Sequence, residues 1–202
     1  LYVAKLSSEV PAAEIDGTGK LPASGSFTGT GTWIPLLHSG PDGKAEALVD
    51  GFTPQDTAVF TRLAADKAGA TKMDRPEDFD VNPKTGKVYV MLTNNSKRKP
   101  QDVDAANPRA ENRFGHIIEI TPDGGDHAAT GFAWEILVKC GDPTIAEVGA
   151  TFNSATSKEG RFGMPDNCAI DADGRLWVAT DGNSVEVTGR IDGLFAMETE
   201  GD

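Results

Sequence analysis

The run Lys72-Met-Asp-Arg-Pro-Glu-Asp78 sets an arginine and a glutamate on either side of a proline. Proline fixes its own backbone and biases the preceding residue toward an extended conformation, so the flanking side chains are aimed reproducibly. A guanidinium can grip a phosphate or carboxylate with two parallel N–H donors, and a carboxylate is a ligand for a hard cation. Arg75 is therefore an anion-binding candidate and Glu77 a metal-ligand candidate. Downstream, Pro165-Asp-Asn167 places a carboxylate and an amide, Asp166 and Asn167, directly after another proline. A plainer reading stays open: Arg75 and Glu77 can pair with each other as a surface or inter-sheet ion pair.

The elements that must carry these residues are strands. Asp78-Phe-Asp-Val81, a turn at Asn82-Pro-Lys-Thr-Gly86 and Lys87-Val-Tyr-Val-Met-Leu-Thr93 read as strand, turn, strand. A second copy follows in Asn167-Cys-Ala-Ile170, Asp171-Ala-Asp-Gly174 and Arg175-Leu-Trp-Val-Ala-Thr180. Pro76 aligns with Pro165 and Glu77 with Asp166, so the two site candidates occupy equivalent places. Third strands are expected at Gly115–Thr121 and Gly193–Thr199, and a fourth at Phe132–Val138. Leu1–Leu6 and Gly31–Leu36 read as another third and fourth strand.

A repeat of about four strands is the mark of a propeller blade. The expected fold is all-β: a partial β-propeller of about two to three blades from a larger ring, with one appended helix. Residues 1–49 are expected to supply outer strands of one blade, 50–72 a helical connection, 73–141 a complete blade and 142–202 most of the next. The helix should run from Thr53 to about Gly69, with Thr53 and Asp56 as a capping box, Pro54 at the first position and Val59, Phe60 and Leu63 buried. Equivalent places in a propeller rotate about one channel, so Arg75, Glu77, Asp166 and Asn167 should converge on one rim. An incomplete ring also leaves unpaired edges, from which self-association is expected.

Other chemistry is thin. There is no GxSxG elbow, Walker A loop or HExxH. Asp78-Phe-Asp-Val-Asn82 imitates the start of an EF-hand loop, but Pro83 stands at the glycine position and Tyr89 at the bidentate glutamate. His116 falls in a strand and reads as structural. In Asn107-Pro-Arg-Ala-Glu-Asn-Arg-Phe-Gly115, the alternating Arg109, Glu111 and Arg113 are expected to order a long loop by satisfying one another. Cys140 and Cys168 have no zinc spacing and could be free or paired.

The 202 residues carry 19 Lys and Arg against 31 Asp and Glu, a net charge of -12. That field repels phosphate backbones and anionic membranes, so no nucleic-acid role is expected. No stretch has the ~20 apolar residues of a membrane span, and no signal segment is read at Leu1.

Taken together, Met73–Asp78, Asn107–His116, Pro165–Asn167 and Gly174–Gly182 resemble the PhoX-type alkaline phosphatases, over roughly residues 30–200. The resemblance implies a six-bladed parent propeller, hydrolysis of phosphate monoesters, export to the periplasm or beyond, and a channel site holding calcium and iron. By motif, Arg75 would contact the substrate phosphate, Glu77 would join the metal cluster, and Asp166 and Asn167 would bind calcium. Lys158 would be the family's substrate-side lysine. The family's iron-binding cysteine and further acidic ligands belong to an upstream half, so this chain alone is expected to be inactive and to bind metal weakly. Two alternatives remain: a lactonase-like propeller hydrolase with a single calcium, and a non-catalytic binding platform.

Overall fold

A computed structural model describes residues 1–200; residues 201–202, the last two of the expected final blade, lie outside it. The chain opens with β1 (Tyr2–Ser7) and β2 (Thr28–Pro35), then the short hairpin β3 (Leu37–Ser39) and β4 (Ala45–Ala47). Two helices follow, α1 (Pro54–Val59) and α2 (Thr61–Ala68). Next come β5 (Pro76–Val81), β6 (Val88–Leu92), β7 (His116–Pro122) and β8 (Gly131–Lys139). The chain closes with β9 (Pro165–Ile170), β10 (Leu176–Thr180), the single-turn α3 (Val185–Thr188) and β11 (Leu194–Met197).

Both expected hairpins are present. Phe79 lies opposite Val90 and Val81 opposite Val88, while Ile170 lies opposite Leu176. The strands β5 to β8 form an antiparallel meander, and β9 to β11 repeat its first three strands. Residues 1–49, expected to supply outer strands of one blade, place β2 and β1 on the outer edge of β8. The result is one six-stranded sheet in the order β1-β2-β8-β7-β6-β5. The cause lies in contacts far apart in sequence: Gly29 and Gly31 of β2 lie opposite Trp134 and Phe132. A Cβ at Gly31 would come within 2.2 Å of the Phe132 ring, so only glycine lets that ring lie across the neighbouring strand. The Trp134 indole N–H donates to Ser7 O at 3.1 Å and Thr30 O at 3.0 Å, fastening the added hairpin.

The two sheets share one core. Tyr89, Met91, Ile117 and Val138 of the larger sheet meet Leu176 and Val178 of the smaller, with Cys168 and Ile170 packed alongside. At the joint, β5 offers two side chains in place of a strand ladder. Asp78 Oδ2 accepts from Cys168 N at 2.9 Å, and Asp80 Oδ2 accepts from Ile170 N at 2.8 Å. The residues that imitate a calcium loop are therefore a clasp between sheets.

The expected single helix is two, plus the separate turn α3. Thr53 and Asp56 form the capping box and Gly69 ends α2 in a left-handed conformation. Between them the backbone breaks at Phe60, which changes the buried stripe. Thr57 and Ala64 face inward, beside Leu36 and Val49, whereas Val59, Phe60 and Leu63 are 73%, 52% and 60% exposed. Their expected burial does not hold: the helical segment packs through the smaller Thr57 and Ala64, and the 59/60/63 side faces outward. No described helix is long and apolar enough to cross a membrane.

Candidate active site

The site is built on a buried polar scaffold that precedes β5. Asp74 is fully buried; its carboxylate accepts from Arg98 Nε at 2.6 Å and from Asn112 Nδ2 at 2.9 Å, while Asn107 Oδ1 accepts its backbone N–H at 3.1 Å. Arg98 also donates to the carbonyls of Asp102 and Lys72. Asn112 continues the network to His116 Nδ1, and His116 Nε2 donates to Ala106 O at 2.9 Å. Burial, reinforced by the charges of Arg109 and Arg98, pushes the His116 imidazole down to about 4, so it is neutral. His116 thus has the structural role expected of it.

The loop Asn107–Gly115 is ordered, though not by mutual charge pairing. Arg109 is buried and donates to the carbonyls of Cys140, Val148 and Gly115 instead of to a carboxylate. Its guanidinium ties the loop to the neighbouring strand and turn through main-chain oxygens, which a charge-alternation argument does not foresee.

On this scaffold stands Arg75. Its φ of 51° puts it in the left-handed region, not the extended one expected before proline. Its carbonyl accepts from Thr93 N at 3.1 Å, and its guanidinium donates to Glu77 Oε1 at 3.0 Å. Both side chains are accessible, so the ion-pair reading and the anion-binding reading share one geometry. The strand register then slips: Pro76 pairs with Leu92 and Phe79 with Val90, leaving Glu77 and Asp78 opposite the single Met91. Such bulges re-aim a side chain at a sheet edge.

The repeat reproduces all of this. Met164, before Pro165, has φ 52°, and its carbonyl accepts from Asp181 N at 3.2 Å. The register slips again, with Pro165 opposite Thr180 and Asn167 opposite Ala179, so Asp166 bulges out unpaired. Thr93 Oγ1 donates to Asp166 Oδ1 at 3.3 Å, linking the two copies. Burial, and then the negative charges of Glu77 and Asp181, push the Asp166 carboxyl above its ordinary value.

Arg75, Glu77 and Asp166 therefore come together, with Thr93 and Asp181 as members that motif reading misses. The signal for Asp181 is in the sequence: it is the repeat partner of Thr93, in the turn that follows the second strand of each copy. Asn167 is exposed and makes no side-chain hydrogen bond among the described residues. Lys158 lies on the long loop before Pro165 and lines a separate cavity with Arg161 and Arg190. Among the described residues, no group of three or more His, Cys, Asp or Glu side chains is closed tightly enough to hold a metal. Cys140 and Cys168 are free thiols, each pushed up to about 12, chiefly by burial.

The family described as Alkaline phosphatase PhoX matches residues 1–202. The chain belongs to the PhoX alkaline phosphatase family. A solved structure, Pseudomonas fluorescens PhoX in complex with vanadate, a transition state analogue, is 34% identical, with a TM-score of 0.77. The match covers 98% of this chain and 33% of that one, so the chain spans a third of the length of its PhoX neighbour. No curated protein matches the chain. The all-β, propeller-type architecture expected from the repeat is thus that of PhoX.

Proposed function

We propose that this chain forms part of a metal-dependent phosphatase acting on phosphate monoesters, within a six-bladed ring, exported to the periplasm or beyond. One observation carries the reading. The two bulged strand openings bring Glu77 and Asp166 close enough, with Asp181, for each acid to disfavour ionisation of Asp166, while an accessible arginine stands beside them. Three carboxylates against one guanidinium suit a hard cation, and the accessible guanidinium suits a phosphoryl group.

The donor chemistry fits calcium in kind. Glu77, Asp166 and Asp181 would contribute ligands to it, with Asn167 as a neutral oxygen ligand at the edge, but they are not closed into a group, and three or four oxygens fall short of the six to eight that calcium takes. This chain alone should bind it weakly. These residues include no cysteine or histidine, so iron would depend on ligands from elsewhere in a complete enzyme. When bound, the metals would neutralise phosphoryl charge and polarise the phosphorus–oxygen bond. Arg75 would release Glu77 to the cation and turn its fork onto the phosphoryl oxygens, stabilising charge in the transition state. Thr93 would orient Asp166 by its hydroxyl donor.

The Arg75–Glu77 ion pair also favours a second reading, a platform that binds without catalysis. Assay of the intact enzyme on a generic phosphate monoester, with calcium and with chelator, separates them. Expected is hydrolysis that chelator abolishes, with Glu77→Gln losing metal and turnover together and Arg75→Ala keeping metal but binding phosphate poorly. Wild-type metal content and turnover in Glu77→Gln would sink the reading. A single bound calcium with lactone hydrolysis would favour the lactonase-like alternative.

A further inference from the structure

Beside the rim lies a cavity of about 450 Å³. The loop Gly141–Met164 forms one wall, and the end of α3 with Gly189 and Arg190 forms the other. In a chain of net charge -12, three of its lining residues are cations: Lys158, Arg161 and Arg190. Arg190 is fixed without a carboxylate, donating through its two terminal nitrogens to the carbonyls of Glu159 and Lys158. Arginine carries five N–H donors, so most remain for a ligand. The Lys158 ammonium makes no hydrogen bond or ion pair among the described residues.

Two acids share the lining, and both are engaged. Asp142 accepts from the backbone N–H of Thr144 at 2.9 Å, from its hydroxyl at 2.7 Å and from Arg161 at 3.2 Å. Glu186 is exposed, and its carboxyl is held below its ordinary value first by its own backbone N–H and then by the Ser184 hydroxyl. Asp142 also feels the charge of Arg190, so the three cations of the lining exceed its two acids by one, and Lys158 is the cation left without a partner among the described residues.

The cavity is joined to the rim by a very short piece of chain. Gly163 lines the cavity, Met164 O holds Asp181 N, and Asp166 is the bulged rim acid. Three residues span at most about 10 Å. Asn183 Nδ2 donates to Gly163 O at 2.9 Å, so the segment bearing Asp181 is pinned to the cavity wall as well.

We propose that the Lys158–Arg161–Arg190 cavity is a second anion subsite. It would receive a further acidic group, phosphoryl or carboxylate, of the phosphate monoester whose reacting phosphoryl lies at Arg75. This rests on the phosphatase reading for the rim, but the subsite itself is a statement about three cations and one cavity. It makes small monoesters that carry a second anionic group the preferred substrate class. Lys158 then belongs to recognition of the distal group and not to the reacting phosphoryl.

The test is titration of this chain with inorganic phosphate, followed by amide NMR shifts. Saturable shifts are expected at Gly163, Thr188 and Gly189, which line the cavity. Arg161→Gln with Arg190→Gln should weaken that binding about tenfold or more, whereas Arg190→Lys should retain part of it and Arg75→Ala should leave it unchanged. The overall amide spectrum of each variant reports whether it folds. Absence of shifts at those residues, or indifference to the double variant, overturns the subsite. Shifts confined to Arg75–Glu77 and Asp166 would overturn it while leaving the rim reading intact. Cavity shifts that persist with no rim response to phosphate would uphold the subsite and count against the rim. Propane-1,3-bisphosphonate, which resists hydrolysis, should bind the intact enzyme about tenfold more tightly than methylphosphonate, an advantage that the double variant removes. Equal affinities would overturn the substrate class.

Discussion

Arg75 and Met164 stand eighty-nine residues apart and share one unusual backbone state, with φ of 51° and 52°, each directly before a proline and each accepting a hydrogen bond at its carbonyl from the far end of the next strand. A left-handed conformation costs a non-glycine residue roughly 1 kcal/mol. Two copies retaining it indicates that the turn into the bulged strand demands it, whatever the side chain. Met164 sits in packed surroundings and the accessible Arg75 does not.

Arg75→Gly should therefore stabilise the chain by about 1 kcal/mol in denaturant unfolding, while removing the guanidinium that the site uses. Gain of stability with loss of phosphate affinity is the expected pair. A destabilised variant would show that the backbone there is relaxed and that the Glu77 ion pair outweighs strain.

Asp166 is disfavoured as an anion by burial and by Glu77 and Asp181. Asp166→Asn should raise the melting temperature of the cation-free chain by a few degrees at neutral pH. Calcium should narrow the gap by restoring a partner to the wild-type carboxylate. Melting curves with and without calcium check both halves; a lower melting temperature for Asp166→Asn would count against the site as a set of opposed charges.

His116 links the scaffold to pH. Its folded value is about 4, below the ordinary 6.5, so between those values the unfolded chain holds the extra proton. Stability should be level above pH 6.5 and fall by roughly 2 kcal/mol on going to pH 5. His116→Gln, which cannot take that proton, should show a shallower decline whatever its stability at pH 7. Parallel pH profiles for the two proteins would contradict the buried neutral imidazole.

The face of β5 that carries Phe79 and Val81 has no cover: they are 66% and 37% exposed, while their repeat partners Cys168 and Ile170 pack against the larger sheet. The chain should therefore associate with rising concentration, and Phe79→Lys should weaken that association. Sedimentation velocity would reveal it; a strict monomer at high concentration would exclude this face as a contact.

Strands, hairpins and the helix cap were legible because each has a local cause. Asn82–Gly86 and Asp171–Gly174 are turns wherever they occur, and Thr53-Pro-Gln-Asp56 caps a helix by its own atoms. The helix face was not legible, since one break at Phe60 moves every later residue around the axis. The attachment of β2 to β8 depends on glycines meeting aromatic rings a hundred residues away. Of the site, the pairing of Glu77 with Asp166 could be read from the repeat. The bulges that expose them, and Asp181 beside them, arise from register and become visible only when strands are paired.

The clasp of Asp78 and Asp80 has a direction. At the equivalent positions, β9 carries Asn167 and Ala169: the amide brings an uncharged acceptor and the alanine none, so the paired carboxylates are not repeated. A fastening present on one sheet and missing from its copy makes the joint one-sided, as a hook is to its eye: the order of the two sheets cannot be exchanged without losing both carboxylate–amide hydrogen bonds.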